Sequence, residues 1–191
     1  QDSRVPLFGV VSRMNYQKGL DLIPAALPSM IERGAQFVIV GSGDKALEGT
    51  FRELTSRYPG RVGSFMGYDN RRAHLLEAGC DFYLMPSRWE PCGLNQLYSL
   101  RYGTVPVVRA VGGLADTVRD GVTGFVFEPY LPEALLAALR RALGVFRAPD
   151  RWRALQVEGM RQDNSWDHSA REYVTIYGRA ITQAQGLKAK G

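Results

Sequence analysis

The most informative segment of the sequence is Pro86-Ser-Arg-Trp-Glu-Pro-Cys-Gly-Leu-Asn-Gln-Leu-Tyr-Ser-Leu100. It follows residues 81–85, whose apolar character is typical of a buried strand, and it leads into residues 94–102, whose apolar periodicity predicts a helix. The residues that we expect to face inward on this helix are Leu94, Leu97, Tyr98 and Leu100. The segment thus predicts a strand, a loop and a helix in direct succession.

The loop of this segment carries a single carboxylate, Glu90. Pro86 and Pro91 restrict the backbone on both sides of it, so the side chain is predicted to lie in a rigid loop. Gly93 permits a tight turn, and the free N–H groups at the start of the following helix favour a phosphate or a sugar hydroxyl. The segment therefore predicts a site for a polar ligand. The alternative is an ordinary connection in which Glu90 caps its own helix.

Length and composition exclude several classes of protein. The chain has 191 residues, 45% of them hydrophobic, which suits one domain with its own core. The sequence contains no run of 18 apolar residues, so it predicts no membrane span. Residues 1–4 have no apolar stretch of a signal peptide, and they lie so close to a strand that they suggest a truncated beginning. The net charge of +5 is spread without a basic run, which argues against nucleic acid as a partner.

Two cysteines, Cys80 and Cys92, are the only ones in the chain. A single pair in a domain of this size is more typical of reduced thiols in a cytosolic protein than of a disulfide. Neither cysteine clusters with a histidine at metal-ligand spacing. The sequence therefore predicts no metal site.

Apolar runs alternate with helical patterns along the chain. The predicted strands are residues 7–11, 36–40, 62–66, 81–85, 105–108 and 124–127. The predicted helices are residues 20–33, 46–58, 71–78, 94–102, 112–118, 133–146, 149–161 and 166–184. This alternation predicts an α/β fold with a doubly wound, parallel, six-stranded, Rossmann-like sheet. We place the domain at residues 1–162 and a helical tail at 163–191, whose last residues, 185–191, are expected to fray.

Within the first helix, residues 20–33, two prolines break the pattern. Pro24 and Pro28 predict a kink or an irregular first turn. In such folds the ligand lies at the carboxyl ends of the strands, beside the point where the strand order reverses. Five loops of this sequence that carry candidate residues lie at that edge.

Two cations follow the first strand, Arg13 and Lys18. Two cations and a helix N-terminus can neutralise a diphosphate leaving group without a metal ion, although each could also be a plain surface cation. The glycine-rich exit Gly41-Ser42-Gly43 lets the backbone approach a phosphate or ribose, with a tight turn as the alternative. The pair Gly112-Gly113 is a second candidate cradle, again with a plain turn as the alternative.

Two further residues complete the candidate site. Tyr68, at a strand end, could stack on a base or pack at the edge of the domain. Glu90 could bond sugar hydroxyls or favour positive charge at an anomeric carbon. No second carboxylate lies near it in sequence, so a two-acid glycosidase mechanism is not indicated. No Gly-x-Gly-x-x-Gly follows the first strand, which disfavours a dehydrogenase.

Six motifs carry a resemblance to a known family. They are Val11-Ser-Arg-Met-Asn-Tyr-Gln-Lys-Gly-Leu-Asp21, Val40-Gly-Ser-Gly-Asp44, Pro86-Ser-Arg-Trp-Glu-Pro-Cys-Gly-Leu-Asn-Gln-Leu-Tyr98, Arg101-Tyr-Gly-Thr-Val-Pro106, Gly112-Gly-Leu-Ala-Asp-Thr-Val118 and Asn164-Ser-Trp166. Together they resemble the C-terminal, donor-binding domain of bacterial glycogen (starch) synthase. That enzyme is a retaining glycosyltransferase built from two Rossmann-like domains, the GT-B architecture.

The resemblance implies transfer of glucose from ADP-glucose to the non-reducing end of an α-1,4-glucan, with retention and without a metal or other cofactor. It implies that Arg13 and Lys18 hold the donor phosphates and that Tyr68 lies against the adenine. Glu90 would be the essential acid near the transferred glucose. The backbone at Cys92, Gly93 and Leu94 would contact sugar hydroxyls, with Asn95 where the phosphates meet the helix. The expected location is the cytoplasm, or the plastid stroma if the source is a plant.

The chain departs from the pattern of related transferases at several positions. Related retaining enzymes often have a second Glu eight residues after the first. This chain has Tyr98 at that position, in agreement with the synthase family. Asn164 stands where the family more often has an aromatic residue. The N-terminal domain with its Lys-Thr-Gly-Gly-Leu motif and its glucan-binding face is absent from this sequence. We therefore expect the chain to bind nucleotide weakly and not to turn over. The tail helix from Trp166 is expected to cross to the other domain, which would leave an apolar patch exposed here.

Two alternative functions stay open from the residues alone. One is a non-catalytic nucleotide- or sugar-binding module, and the other is a related retaining transferase that uses another nucleotide sugar. Glu90 distinguishes the first from an enzyme, because a pure binder needs no acid beside the anomeric carbon. Only the resemblance favours ADP-glucose over other donors.

Overall fold

The structure, a computed structural model, describes residues 4–188 of the chain. It divides after Arg161 into two units, Gln1–Arg161 and Gln162–Gly191, each described here by itself.

The first unit contains one six-stranded sheet. Its strands are β1 (Leu7–Met14), β2 (Gln36–Gly43), β3 (Val62–Met66), β4 (Phe82–Met85), β5 (Val105–Arg109) and β6 (Phe125–Phe127). They are all parallel and lie in the order β3-β2-β1-β4-β5-β6. The predicted doubly wound, Rossmann-like α/β fold is therefore confirmed, and the strand order reverses between β1 and β4.

Seven α-helices of this unit connect or follow the strands. They are α1 (Ile23–Glu32), α2 (Lys45–Arg57), α3 (Asn70–Gly79), α4 (Asn95–Tyr102), α5 (Gly112–Thr117), α6 (Pro132–Phe146) and α7 (Pro149–Met160). Two short 3₁₀ turns, Tyr16–Lys18 and Leu20–Leu22, precede α1. The irregular first turn that the prolines predict is thus present, with Pro24 in the first turn of α1 and Pro28 inside the helix.

Each strand places successive side chains on opposite faces of the sheet, and both faces are covered. β4 shows this directly, because Phe82 and Leu84 belong to the larger core on one face while Tyr83 and Met85 belong to a second core on the other. The larger core includes buried residues of α1, α2, α6 and α7, and the second includes Leu76 of α3 and Leu114 of α5. A sheet buried on both faces accounts for the continuous apolar runs in the sequence.

The glycine-rich segment after the second predicted strand is itself part of that strand. β2 continues to Gly43, and Gly41, Ser42 and Gly43 pair with residues 12–14 of β1. The expected loop exit at Gly41 is therefore wrong. Glycine is required at position 41 because a Cβ there would collide with the Ser12 carbonyl oxygen, so the two strand ends lie close together.

The predicted inward face of α4 is also largely wrong. Leu94 and Tyr98 are exposed, and the buried residues of the helix are Gln96, Ser99 and Leu100. The buried donors find partners nearby, since the Ser99 hydroxyl donates to the Asn95 carbonyl at 2.8 Å and the Gln96 amide nitrogen donates to two loop carbonyls. Polar side chains with local hydrogen bonds can take core positions that an apolar pattern assigns elsewhere.

The second unit contains a long helix, α8 (Trp166–Lys188). Fraying was predicted from residue 185, but the helix continues to Lys188, and residues 189–191 lie outside the described part. Its exposed large apolar residues are Trp166, Tyr173, Val174, Ile176, Tyr177 and Ile181. The expected exposed apolar side chains are therefore present. Among the described residues, none of the helices combines the length and the apolarity that crossing a membrane requires.

Two glycine-to-alanine substitutions test the close approach of β1 and β2. We expect Gly41→Ala to lower the free energy of unfolding by about 1–3 kcal/mol, because the added Cβ overlaps the Ser12 carbonyl. Gly49→Ala is the matched control: it lies exposed in α2 with open space around it, and it should raise stability by about 0.5–1 kcal/mol. Urea unfolding of both variants measures the difference, and equal stabilities would contradict the packing described.

Candidate functional site

Two adjoining pockets open at the carboxyl ends of β1 to β4, where the strand order reverses. The first has a volume of about 210 Å³ and the second about 300 Å³. Both are lined by Val11, Ser12, Arg13 and Asn95, so they share a wall. The first pocket is completed by residues of the Lys18 turn and of the loop after β4. The second is completed by residues at the ends of β2 and β3.

Lys18 and Glu90 meet in the first pocket. The Lys18 Nζ lies 2.5 Å from Glu90 Oε2, and Glu90 is buried, with only 7% of its surface exposed. The Ser87 hydroxyl, itself buried, donates to the same carboxylate oxygen at 3.2 Å. The carboxylate of Glu90 is therefore held by a cation and a hydroxyl rather than capping its own helix.

The backbone of the Lys18 turn explains why two distant segments meet here. Asn15 caps the turn by accepting from the Lys18 N–H, and Gly19 has a left-handed φ of 63°. A side chain at Gly19 would collide with the Pro86 carbonyl oxygen, and the Arg88 N–H donates to the Gln17 carbonyl at 2.8 Å. The turn after β1 thus packs directly on the loop after β4.

Arg13 lies at the wall between the two pockets. Its side chain is exposed, and among the described residues no hydrogen bond or ion pair of its guanidinium is found. It brings a second positive charge to the same edge of the sheet as Lys18. The structure therefore places the two predicted cations at one pocket.

Asn95 lies at the start of α4 and is anchored from below by Tyr83. Its side-chain amide donates to the Tyr83 hydroxyl at 2.6 Å and to the Val11 carbonyl at 3.3 Å. The Tyr83 hydroxyl in turn donates to that carbonyl at 2.8 Å and accepts from the Val11 N–H at 3.1 Å. Burial raises the pKa of the Tyr83 hydroxyl above its ordinary range, and the nearby Glu77 raises it further. Tyr83 therefore stays a neutral hydrogen-bonding group in the pocket floor.

The first turn of α4 has no side-chain cap. The residue before it, Leu94, makes no capping hydrogen bond through its side chain, and both Gly93 and Leu94 line the first pocket. Uncapped N–H groups at a helix start favour an anion. The positive end of α4 therefore faces the same pocket as Lys18 and Arg13.

The Gly112-Gly113 pair supports the Glu90 loop. The Gly113 N–H donates to the Glu90 carbonyl at 3.0 Å. A Cβ at Gly112 would collide with the Glu90 carbonyl, and one at Gly113 with the Cys92 carbonyl. Neither glycine is among the residues that line the two pockets, so close packing accounts for glycine here, and a part in ligand binding stays a prediction.

Gly93 is backed by the buried amide of Gln96. The two N–H groups of Gln96 Nε2 are shared among three acceptors, the Cys92 carbonyl at 3.1 Å, the Gly93 carbonyl at 3.0 Å and the Thr117 hydroxyl at 3.2 Å. Gly93 has a φ of 74°, and a side chain there would press on the Gln96 amide. Cys92 is an exposed free thiol outside the lining of both pockets.

The second pocket has small and aromatic walls. Gly41 and Ser42 line one side, and Tyr68 lines another with 87% of its surface exposed. Gly43 is not among the lining residues. An exposed ring at a strand end offers a face for a flat ligand group, and the structure gives Tyr68 no ring partner among the described residues.

Several residues of the site were missed by the sequence reasoning. Ser87 and Tyr83 lie in segments predicted as a loop and a strand. Ser87 bonds Glu90 within its own loop, and the partners of Tyr83 lie on β1 and α4. Arg109 ends the buried strand β5, and its guanidinium donates to the Ser87 carbonyl at 3.4 Å and the Arg88 carbonyl at 2.8 Å. A cation directly after a buried strand at the ligand edge was the one signal that could have pointed to it.

The arrangement suits an anionic ligand with a polar, hydroxyl-rich group attached. Two cations and a helix N-terminus can bind a phosphate, and a buried carboxylate beside them can accept hydrogen bonds from hydroxyls. Within residues 4–188, no group of three or more His, Cys, Asp or Glu side chains could hold a metal ion.

The strand order defines a Rossmann-like α/β domain, and the pocket at its reversal is a candidate ligand site. The model of the family described as "Glycosyl transferases group 1" matches residues 1–153. The chain belongs to this family.

Individual relatives agree with this membership. Over 178 residues the chain is 57% identical to a protein of Anaeromyxobacter sp. (strain K) named glycogen synthase, and the match covers 91% of this chain but 38% of that protein. The chain thus spans less than half the length of the curated relatives it matches. The resemblance to bacterial glycogen synthase that the motifs indicate is confirmed.

Two solved structures are similar in fold. The catalytic domain of starch synthase IV from Arabidopsis thaliana, bound to ADP and acarbose, has a TM-score of 0.84 and 32% identity, covering 95% of this chain and 39% of that one. The C-terminal domain of LpcC from Francisella tularensis, a glycosyl transferase group 1 family protein, has a TM-score of 0.68 at 16% identity, covering 84% and 86%. The second likeness concerns the fold alone.

Below the pocket floor lies a buried carboxyl group on α3, that of Glu77. Burial raises its pKa to about 7, and its Oε1 has no hydrogen-bond partner among the described residues. Burial raises the pKa of Asp81 as well. Between the unfolded-chain pKa of about 4.3 and the folded value, the folded protein binds more protons than the unfolded one, so stability falls as pH increases.

We expect Glu77→Gln to remove much of this decline. The stability of the variant relative to the unchanged protein should rise between pH 5 and pH 8, because the unchanged protein ionises a buried carboxyl in that window. Urea unfolding at several pH values measures it, with Glu32→Gln, an exposed position in α1, as the matched control. Parallel pH profiles for Glu77→Gln and the unchanged protein would contradict the burial of Glu77.

Proposed function

We propose that this chain is the donor-binding part of a glycogen synthase. The reaction of the whole protein is transfer of glucose from ADP-glucose to the non-reducing end of an α-1,4-glucan, with retention at the anomeric carbon. The observation that carries the proposal is the 2.5 Å contact of Lys18 with Glu90 in the pocket at the start of α4. It puts a cation and a buried acid in one pocket.

The two pockets suit the two ends of the donor. The diphosphate lies between Arg13 and Lys18 at the wall that both pockets share, where the start of α4 adds its N–H groups. The adenine enters the second pocket and stacks on the exposed ring of Tyr68. The glucose lies in the first pocket beside Glu90, where the backbone of Gly93 and Leu94 reaches its hydroxyls.

Each charged residue then has a separate part in the transfer. Arg13 and Lys18 neutralise the ADP leaving group as the bond from its phosphate oxygen to the anomeric carbon breaks. Glu90 accepts hydroxyl hydrogen bonds and stabilises positive charge that develops on the sugar. Asn95 fixes the start of α4 through Tyr83, so the helix N–H groups are in place before the donor binds. Arg13 and Lys18 thus supply the positive charge that the ADP leaving group needs.

The glucan is proposed to bind through a second domain of the longer protein. The starch synthase IV domain that this chain resembles was solved with ADP and acarbose, which supports the nucleotide part of this proposal. In this proposal residues 1–162 bind the nucleotide sugar, and the tail helix α8 extends to the second domain with its apolar residues. The protein acts in the cytoplasm, and the chain alone does not elongate glucan.

Titration calorimetry of this chain with ADP tests the donor site. We expect Arg13→Ala and Lys18→Ala each to weaken ADP about 10- to 150-fold, because each removes a charged hydrogen-bond donor to phosphate. Arg140→Ala removes an exposed arginine of α6, distant in sequence, and should leave the affinity unchanged. EDTA should have no effect, and UDP should bind more weakly than ADP.

Three results would contradict the proposal. Equal affinities of the unchanged protein, Arg13→Ala and Lys18→Ala would place the nucleotide elsewhere. A preference for UDP would indicate a transferase with another donor. Elongation of a maltooligosaccharide from ADP-glucose by this chain alone would contradict its assignment as only the donor-binding part.

A further inference from the structure

The guanidinium of Arg88 is sandwiched between two tyrosine rings. Its central carbon lies 3.8 Å from the centroid of the Tyr16 ring and 3.9 Å from that of the Tyr130 ring. Tyr16 belongs to the 3₁₀ turn that carries Lys18, and Tyr130 lies two residues before α6. A planar guanidinium can stack on an aromatic face on each of its sides, which an ammonium group cannot do.

Asp21 closes this cluster at its edge. Its carboxylate accepts from Arg88 Nη2 at 2.8 Å and from the Tyr130 hydroxyl at 2.6 Å. Asp21 lies in the second 3₁₀ turn, three residues after Lys18. The cluster of Tyr16, Asp21, Arg88 and Tyr130 therefore joins the segment on both sides of Lys18 to the loop that carries Glu90.

The backbone of Arg88 joins the same two segments. Its N–H donates to the carbonyl of Gln17, the residue before Lys18, and its carbonyl accepts from Arg109 Nη1 at 2.8 Å. Arg88 itself lies two residues before Glu90. Its side chain is only 23% exposed, and it is not among the residues that line either pocket. The residue is thus placed to support the ligand site without contacting the ligand.

We infer that Arg88 is a positioning residue, which holds Lys18 at Glu90 by stacking between Tyr16 and Tyr130 and pairing with Asp21. As far as ADP is concerned, the inference rests on the proposed function. In this inference, a cluster outside the pocket sets the distance between Lys18 and Glu90. Without the stack, the Lys18 turn keeps its backbone bond to Arg88 but loses the side-chain contacts that set its distance from the loop.

The test compares Arg88→Lys with Lys18→Ala and the double variant. Arg88→Lys keeps the charge and removes the double stack, and it should weaken ADP about tenfold in calorimetry. In the Lys18→Ala background the same change should have little further effect, because Arg88 acts through Lys18. Effects that multiply, or unchanged ADP affinity in Arg88→Lys, would overturn the inference. Arg119→Lys, which alters an exposed ion pair with Glu158, is the matched control.

A second readout does not depend on nucleotide. In carbon-13 NMR, Arg88→Lys should move the Glu90 carboxyl resonance toward its position in Lys18→Ala, and Arg119→Lys should leave it in place. If the unchanged protein does not bind ADP, the proposed function fails, while this resonance still decides the inference. An unmoved resonance in Arg88→Lys would overturn it.

Tyr130→Phe provides a milder variant if Arg88→Lys does not fold. It keeps the ring and removes only the hydroxyl bond to Asp21. The Glu90 resonance should move in the same direction by a smaller amount. No movement in this variant would overturn the part assigned to Asp21 and Tyr130.

Discussion

The contact between Lys18 and Glu90 is the constraint on which the rest of the site depends. The two residues come from the loops after β1 and β4, which are neighbours in the sheet although 72 positions apart in sequence. Only the reversal of strand order between these strands opens a space in which both loops can meet a ligand. The pocket is therefore a consequence of the sheet topology, and the loop residues give it its charged groups.

Close backbone approach is the second theme of the structure. At Gly19, Gly41, Gly112 and Gly113 a side chain would collide with a carbonyl oxygen of a neighbouring segment. These glycines let the Lys18 turn pack on the loop after β4, β2 on β1, and α5 on the Glu90 loop. Gly41, Gly112 and Gly113 lie in patterns that resemble a phosphate cradle, but close backbone packing already accounts for them. They affect the shape of the site because the packed segments form its walls and support them.

The fold could be predicted well because it depends on local patterns. Apolar runs alternating with helical periodicity identify all six strands and the order of the helices. The inward face of α4 could not be read in this way, since Gln96 is buried through hydrogen bonds to Cys92 and Gly93 that no periodicity reveals. The stack of Arg88 on Tyr130 joins residues 42 positions apart, so a single sequence contains no local signal for it.

A crystal structure of this chain with ADP would show whether the pocket at the Lys18–Glu90 contact holds the nucleotide. We expect the diphosphate within hydrogen-bond distance of both Arg13 and Lys18 at the start of α4, with the adenine against the ring of Tyr68. A nucleotide bound away from the carboxyl ends of β1 and β4, or one whose phosphates contact neither cation, would contradict this expectation.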